Sequence, residues 1–195
     1  ASSTPVRPEE AAETPSMTDA APSPAPKPSL WRYGFGLAVL VLILDQAVKL
    51  WLLRVVDLAS AGPIRIAPFL EFVLVWNRGI SYGLFQQDTG TGRWLLVGFT
   101  LVVIGVLMVW LVRARDRWTA TSVALIVGGA IGNLIDRIAY GAVADYVHFF
   151  VGSFSWYVFN IADAAIALGV VGLLVDALRG RRNNAALETS GETRQ

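Results

Sequence analysis

Gly128-Gly129-Ala130-Ile131-Gly132-Asn133-Leu134-Ile135-Asp136-Arg137 is the stretch that decides the fold. Val143-Ala144-Asp145-Tyr146 and Phe159-Asn160-Ile161-Ala162-Asp163 follow it, the second of them at the start of the next hydrophobic segment. Together they place three aspartates, two asparagines and one arginine near the ends of two long apolar segments. Ionisable side chains are costly in such a setting, so they predict a functional site. The glycines beside them allow helix backbones to approach closely.

The composition predicts a membrane protein. Of the 195 residues, 54% are hydrophobic and only 16% are charged, and the mean hydropathy is +0.53. These values are far from those of an ordinary soluble domain. The formal net charge is +1, with no concentrated basic patch outside the membrane flanks. That argues against a nucleic-acid partner, because binding to phosphates depends on such a patch.

Residue types that are scarce restrict the chemistry. The chain has no Cys and a single His, His148. Disulfides, cysteine nucleophiles and a multi-histidine metal centre are therefore excluded. We expect neither a metal nor a cofactor, and catalysis would rest on carboxylates, hydroxyls or Lys.

Four hydrophobic segments have the length of about 20 residues that a membrane-spanning helix needs. They are residues 35–56, 94–112, 119–138 and 159–178. Residues 57–92 are interrupted by Pro and Gly, and residues 69–76 within them predict a strand of a small extramembrane sheet. Residues 139–158 are interpreted as a short connecting loop. The expected fold class is an all-α membrane protein with four transmembrane helices and a small extramembrane β-sheet.

One transmembrane domain is expected at residues 30–180. Residues 1–29, rich in Pro, Ala and Ser, and the polar residues 181–195 are predicted to be disordered. Basic residues precede the first helix and follow the second and fourth, which places both termini in the cytoplasm by the positive-inside rule. The segment 57–92 and the connection at 139–158 then face the extracytoplasmic side.

Two charged residues interrupt the first helix. Asp45 and Lys49 are four residues apart, so they share one helix face and can pair, which lowers the cost of burying either charge. A structural ion pair and a direct role in substrate binding remain equally good interpretations. At a rise of about 1.5 Å per residue, these residues lie near the level of the polar ends of the third and fourth helices.

Each of those two helices predicts a polar face. Asn133 shares a face with Asp136 and Arg137, and Asn160 shares one with Asp163, because residues three or four apart lie on the same side of a helix. Adjacent residues do not face each other, so Asp136 and Arg137 are expected to bond to other segments. An Arg beside a carboxylate keeps it ionised, which favours a supporting role for both.

Asp145 and Asp163 differ from the other carboxylates in having no cation nearby in the sequence. Two carboxyl groups that share a site cannot both ionise easily, so one holds a proton while the other activates a water. Peptide hydrolysis requires that arrangement, and the two residues are the candidate catalytic pair. Spacing alone leaves a small transporter or a proton-conducting helical bundle open as an alternative.

Two further residues have alternative interpretations. Ser81 lies in the predicted outward loop and would be a nucleophile if Lys49 served as its base. His148 lies next to two phenylalanines and is interpreted as an interface residue rather than a base.

Five ordered motifs within residues 35–180 resemble those of the bacterial lipoprotein signal peptidase (signal peptidase II) family. They are Asp45-Gln46-x-x-Lys49, Asn77-x-Gly79, the stretch Gly128–Arg137, Val143-x-Asp145-Tyr146 and Phe159-Asn160-x-Ala162-Asp163. The resemblance implies a four-helix membrane aspartic endopeptidase with an extracytoplasmic β-sheet cradle and a short amphipathic helix. Its substrate would be a prolipoprotein that carries diacylglyceryl on the Cys after the cleavage point.

The motif match also implies roles for individual residues. Asp145 and Asp163 correspond to the catalytic dyad. The supporting positions are Asn133, Asp136, Arg137, Asn160, Asn77, Asp45 and Lys49. The segment Arg78-Gly79-Ile80-Ser81-Tyr82 departs from the Asn-Thr-Gly-Ala-Ala-Phe form usual in the family, so no contacts are transferred to it. We expect a monomer in the bacterial inner membrane, surrounded by lipid, with its site on the extracytoplasmic side.

Overall fold

The computed structural model describes residues 30–79 and 90–192. In the second of these ranges, the side chains are described for residues 92–179. The predicted tail at residues 1–29 and Ser81 lie outside the described residues. The elements in chain order are α1 (Trp31–Arg54), α2 (Leu58–Ala61), β1 (Ile64–Ala67), β2 (Leu70–Asn77), α3 (Gly90–Arg113), α4 (Arg117–Tyr140), β3 (Val143–Val151), β4 (Phe154–Ser155) and α5 (Ile161–Glu192).

Four helices are long and apolar enough to cross a bilayer, as the sequence predicted. They comprise Trp31–Arg54, Gly92–Arg113, Arg117–Tyr140 and Ile161–Arg179. Large apolar side chains on three of them point away from the bundle, and Phe99 of α3 and Leu168 of α5 are 66% and 63% exposed. Such a surface suits lipid rather than water.

Helix α4 occupies the centre of the bundle and packs against α1, α3 and α5. Its small residues allow the closest of these contacts. A Cβ at Gly128 would lie 2.6 Å from the backbone oxygen of Ala38 in α1, and a Cβ at Gly129 would collide with the backbone oxygen of Ala162 in α5. The predicted role of the glycines in backbone packing is confirmed.

Both ends of α4 are fixed by local hydrogen bonds. Asp116 is the N-cap and accepts the amide of Thr119 at 2.8 Å, a bond that holds the pKa of the Asp116 carboxyl below its usual value. Gly141 ends the helix in the left-handed conformation (φ 80°) and donates its amide to the oxygen of Arg137 at 3.1 Å. This turn directs the chain straight into β3.

The four strands form one antiparallel sheet in the order β1-β2-β3-β4. Strand β2 confirms the strand predicted at residues 69–76. The interpretation of residues 139–158 as a short connecting loop is wrong, since β3 and β4 lie there and β3 pairs with β2 from Leu70↔Phe149 to Asn77↔Val143. The β-branched and aromatic residues of β3 suit a strand, but its partner is distant in the sequence.

The last helix differs from the prediction at both ends. It starts at Ile161, because Phe159 instead forms an isolated antiparallel bridge with Val147. It continues to Glu192, through much of the segment 181–195 that was predicted to be disordered. Seven of the twelve residues 181–192 are Arg, Ala, Leu or Glu, which favour helix.

Candidate active site

Asp145 lies in the first half of β3, next to β2 and close to the start of α5. Its side chain is 2% exposed. One carboxylate oxygen accepts the amide of Asn77 at 3.1 Å, and the other accepts the amide of Asn160 at 2.7 Å. Asn77, which the family resemblance alone had singled out, is therefore a direct partner of this carboxylate.

Asp163 lies in the first turn of α5 and is half-buried. Its Oδ1 accepts the side-chain amide of Asn133 at 2.7 Å, and its Oδ2 accepts the backbone amide of Asn160 at 3.3 Å. Asn160 in turn accepts the backbone amide of Asp163 at 2.9 Å. This reciprocal pair is a capping box, and it holds the carboxylate at the positive end of the helix dipole.

Asn160 brings the two candidate catalytic carboxylates together. It donates to Asp145 through its side chain and forms the capping box with Asp163. The same side-chain amide lies 3.1 Å from the oxygen of Asn133, which holds Asp163. The residue is fully buried, so these bonds do not compete with water. The predicted convergence of Asp145 and Asp163 on one site agrees with this geometry.

The surroundings of Asp145 favour its protonated form. Burial raises the pKa of Asp145 to about 6, and the negative charge of Asp163 adds to the rise. The hydrogen bonds from Asn77 and Asn160 and the positive charge of Lys49 act in the opposite direction. Asp145 can therefore hold a proton at mildly acidic pH.

A buried ionic group lies behind the pair, and we call Asp45, Lys49 and Asp136 the lysine cluster. The ammonium of Lys49 is 2.8 Å from Asp45 and 2.8 Å from Asp136, and the three side chains are at most 2% exposed. Lys49 also donates to Asn133 at 3.2 Å. The i,i+4 ion pair that the sequence predicted is present, and Asp136 joins it as a second anion.

The two carboxylates of the lysine cluster also hold the two elements that carry the candidate pair. Asp45 accepts the amide of Ala162, in the first turn of α5, at 3.0 Å. Asp136 accepts the amide of Ala144, next to Asp145 in β3, at 3.2 Å. Lys49 binds both Asp45, which holds the start of α5 near Asp163, and Asp136, which holds β3 near Asp145. It therefore connects the two parts of the structure that carry the candidate pair.

Gln46 belongs to this site, although its place in the sequence alone predicted no role for it. Its side-chain nitrogen is 3.2 Å from Asp45, 3.1 Å from Asp136 and 3.2 Å from the backbone oxygen of Gly132. A polar residue beside Asp45 in an otherwise apolar helix was the available signal. Its contacts with two carboxylates could not be predicted from the first helix alone.

Arg137 lies on the same helix face as Asn133, as predicted, and donates to the backbone oxygen of Asn133 at 3.3 Å. Its Nε is buried and has no hydrogen-bond partner among the described residues. Asp136 bonds to α1 and β3 instead of to Arg137. The expectation that these neighbours bond to other segments is therefore met by Asp136.

A second polar contact lies at the opposite end of the bundle. Thr119 donates to Asp176 at 3.3 Å, and the indole of Trp118 donates to the backbone oxygen of Gly172 at 2.7 Å. Asp176 lies on α5 more than three turns beyond Asp163, or about 20 Å along the axis. Polar side chains of the helices therefore lie at both ends of the bundle, and not only at the level that the sequence predicted for Asp45 and Lys49.

The alternative chemistries find less support in the geometry. Lys49 uses its three donor hydrogens on Asp45, Asp136 and Asn133, which leaves it poorly placed to act as a base. Ser81, its suggested nucleophile, is outside the described residues. Across residues 30–79 and 90–192, no group of three His, Cys, Asp or Glu side chains is arranged to hold a metal ion.

Comparison with known proteins extends the likeness to most of the chain. Residues 37–179 match the family model described as signal peptidase (SPase) II. A lipoprotein signal peptidase of Methylorubrum extorquens (strain PA1) is 57% identical over 150 residues, which are 77% of this chain and 88% of that protein. Another, from Beijerinckia indica subsp. indica, is 54% identical over 136 residues, 70% of this chain and 81% of that protein.

Two solved structures of bacterial membrane enzymes share the fold. One superposes with a TM-score of 0.69 at 22% identity and covers 80% of this chain and 94% of its own. The other has a TM-score of 0.65 at 23% identity and covers 78% of this chain and 96% of its own.

Proposed function

This chain belongs to the signal peptidase II family, and on that premise we propose that it is an aspartic endopeptidase with Asp145 and Asp163 as its reacting pair. The observation that carries the proposal is the position of Asn160, which is hydrogen-bonded to both residues. Two carboxyl groups held in this way can divide the roles of acid and base.

We propose that Asp145 begins protonated, in keeping with its raised pKa, and that Asp163 acts as the base. Asp163, ionised, removes a proton from a water whose oxygen attacks the carbonyl carbon of the scissile peptide bond. Asp145, protonated, donates to the carbonyl oxygen as the tetrahedral intermediate forms. The carbon–nitrogen bond then breaks, the departing amine takes up the proton held by Asp163, and the proton on the intermediate's hydroxyl returns to Asp145. General acid–base catalysis of this kind contributes about 100- to 10,000-fold.

The remaining candidate residues act as supports in this proposal. Asn77, Asn133 and Asn160 orient the two carboxylates by direct hydrogen bonds. Asp45, Lys49 and Asp136 hold β3 and α5 in place. Arg137 adds positive charge near the pair. We propose that residues 30–180 form the catalytic domain and that it acts as a monomer.

The substrate class follows from the relatives, which are named lipoprotein signal peptidases. We propose that this chain cleaves a prolipoprotein just before its diacylglyceryl-modified Cys. Each buried CH₂ of the acyl chains contributes about 0.8 kcal/mol to membrane binding, so the scissile bond is kept at the bilayer surface. A site at the ends of the helices is well placed to receive it.

A lipoprotein signal peptidase with four helices able to span a bilayer is a multi-pass protein of the inner membrane. We propose that the catalytic pair faces the extracytoplasmic side and that both termini are cytoplasmic. The exposed arginines Arg113, Arg115 and Arg179 support this orientation, because they lie at the end of the bundle away from Asp145 and Asp163.

The transport alternative is disfavoured by the sequence of α5 between its two aspartates. Residues 164–175 are all Ala, Ile, Leu, Gly or Val. This stretch offers no polar side chain to pass an ion or a proton between Asp163 and Asp176. Ion or solute flux in liposomes, without processing of a precursor, would nevertheless favour a transporter.

The central test replaces each reacting carboxyl by an amide. Asp145→Asn and Asp163→Asn should each reduce cleavage of a lipid-modified precursor by at least roughly 100-fold, because each removes one proton-transfer step. Asp176→Asn is the matched control, since it makes the same change in α5 at the opposite end. Full cleavage by either Asp145→Asn or Asp163→Asn would contradict the proposal that these two residues form the reacting pair. An unlipidated precursor tested in parallel should be cleaved poorly, and equal cleavage would contradict the substrate class.

The orientation can be tested because the chain has no Cys. Ser153→Cys places a thiol in the turn between β3 and β4, and Arg115→Cys places one at the other end of the bundle. A membrane-impermeant maleimide applied to intact spheroplasts should label only the first. Labelling of Arg115→Cys alone would reverse the proposed orientation.

A further inference from the structure

Three polar side chains form a continuous hydrogen-bonded chain across the sheet, outside the site described above. The imidazole of His148 in β3 lies 2.9 Å from Glu71 of β2 through Nδ1 and 2.7 Å from Ser155 of β4 through Nε2. We call these three residues the His148 bridge. His148 was interpreted as an interface residue, but its ring is only partly exposed and both of its nitrogens are bonded.

Strand register explains why the three side chains meet. Glu71 and His148 are direct cross-strand partners, and Ser155 is the partner of Phe150. His148 and Phe150 are two residues apart in one strand, so all of these side chains lie on the same face. Asp145 lies three residues before His148 and therefore on the other face. The His148 bridge cannot touch the catalytic site directly.

The bonds of the His148 bridge hold in both protonation states of the imidazole. A neutral ring donates from one nitrogen to the Glu71 carboxylate and accepts the Ser155 hydroxyl hydrogen at the other. A protonated ring donates from both nitrogens, and the Ser155 oxygen then accepts. The ring of Phe150, 5.4 Å away between centroids, packs against the imidazole and limits its rotation.

Among the described strands, β4 is the shortest and has the fewest cross-strand pairs. It is two residues long, its two pairs are Phe150↔Ser155 and Val151↔Phe154, and both of its residues are exposed. A short two-stranded ribbon in water is marginally stable by itself. The side chain of His148 adds a connection from β4 to β3 and on to β2, which is held in the sheet on both sides.

The segment after β4 leads directly to the catalytic pair. Trp156 donates its amide to Phe149 at 2.8 Å, Phe159 donates to Val147 at 3.0 Å, and Tyr146 donates to Phe159 at 3.1 Å. Asn160 follows at once and begins α5. The bond at Trp156 adjoins β4, so a shift of β4 would act on the residues that lead from it to Asn160.

We propose that His148 is a positioning residue for the catalytic pair, fastening β4 to β2 and β3 and thereby fixing Asp163 and Asn160 against Asp145. The inference rests on the proposed roles of Asp145 and Asp163. It assigns no contact with substrate to Glu71, His148 or Ser155. Their contribution is transmitted through the main chain of residues 155–160.

The test uses two nearly isosteric replacements that differ in one hydroxyl. Ser155→Val removes the bond to His148, and Ser155→Thr retains it. Ser155→Val should lower kcat on a lipid-modified precursor by roughly tenfold with KM little changed, because a misplacement of about 1 Å can cost about 100-fold. Ser155→Thr should restore most of the rate. Ser153→Val, an exposed position in the same turn, is the matched control and should behave as wild type.

A second pair tests the other half of the His148 bridge. Glu71→Gln keeps an acceptor for Nδ1–H and should retain the rate, whereas Glu71→Leu should reproduce the loss seen in Ser155→Val. Hydrogen exchange gives a readout that does not require catalysis. The amides of Trp156 and Phe159 should exchange faster in Ser155→Val and at the wild-type rate in Ser155→Thr.

The outcomes separate the two proposals. Full cleavage by Asp145→Asn would contradict the proposed dyad but would not affect the hydrogen-exchange result at Trp156 and Phe159. Equal kcat in Ser155→Val and Ser155→Thr, or unchanged exchange at Trp156 and Phe159 in Ser155→Val, would overturn the positioning role of His148 while the dyad stood.

Discussion

The carboxylate of Asp45 accepts the backbone amide of Ala162 at 3.0 Å. This bond joins the middle of the first membrane helix to the first turn of the last, where Asp163 lies. The opposite oxygen of the same carboxylate binds Lys49 at 2.8 Å, and Lys49 binds Asp136. Asp45, which is far from Asp163 in the sequence, therefore helps to fix the position of the Asp163 carboxylate.

Lys49 is the one cation among the three residues of the lysine cluster, and its loss should destabilise the protein. Lys49→Met leaves two buried carboxylates without a counter-charge and should lower the free energy of unfolding by roughly 3–5 kcal/mol. Adding Asp136→Asn should recover part of that loss, because it removes one uncompensated charge. Thermal unfolding in detergent micelles measures both. If Lys49→Met were as stable as wild type, the cluster would not contribute to the fold.

Gly132 should not tolerate a methyl group. A Cβ at this position would lie 2.5 Å from the carboxylate of Asp45, so Gly132→Ala must displace either α4 or the lysine cluster. We expect a loss of about 1–3 kcal/mol in the free energy of unfolding together with reduced cleavage. Gly98→Ala in α3 is the control, since nothing lies within 4 Å of its Cβ. Equal effects of the two substitutions would show that the close contact is unimportant.

Asn77→Ala should move the pH dependence of cleavage. In the wild type, kcat/KM should fall as the pH rises above about 6, because Asp145 then loses its proton. The hydrogen bond from Asn77 favours the ionised form, so its removal raises the pKa of Asp145 further and shifts this limb to higher pH. A shift to lower pH would reverse the assigned role of that bond. Asp176→Asn should leave the limb in place.

Asn160 performs two tasks that substitution can separate. Asn160→Ser keeps an oxygen to cap the amide of Asp163, as Asn160 does at 2.9 Å, but loses the donation to Asp145. It should lower kcat by roughly 10- to 100-fold, because Asp145 becomes charged as it donates its proton and a hydrogen bond to a charged group is worth about 1.5–3 kcal/mol. Asn160→Ala should lose in addition about 1 kcal/mol of stability with the cap. Equal stability of the two variants would argue against the capping box.

Much of the helical part of the fold could be predicted because its cause is local. Apolar segments of sufficient length indicate membrane helices wherever they occur. The pairing of Asp45 with Lys49 followed from helical spacing, since residues i and i+4 share a face. Likewise, the glycines of α4 predicted close backbone contact, although not which helix would lie against each one.

The features that escaped prediction depend on segments distant in the sequence. Strand β3 pairs with β2, and no pattern within residues 139–158 reveals that partner. Gln46 acquires its role only because Asp136 of α4 lies against it. His148 has two phenylalanines as sequence neighbours, but its bonded partners are Glu71 and Ser155, which only the strand register brings to it.

The central position of α4 has a consequence for how the protein is made. The most apolar 18 residues of α4 have a mean hydropathy of only 1.5, against 2.8 for the corresponding stretch of α3. Of these residues, 67% are buried in the bundle in α4 and 11% in α3. Alone in lipid, α4 would expose Asn133, Asp136 and the bare backbone at its glycines. During synthesis it emerges after α1 and α3 but before α5, so for a time one of its flanks is uncovered. A chain whose synthesis stops before α5 would therefore expose the polar side of α4 to the bilayer. We expect membrane quality-control proteases to degrade such a chain.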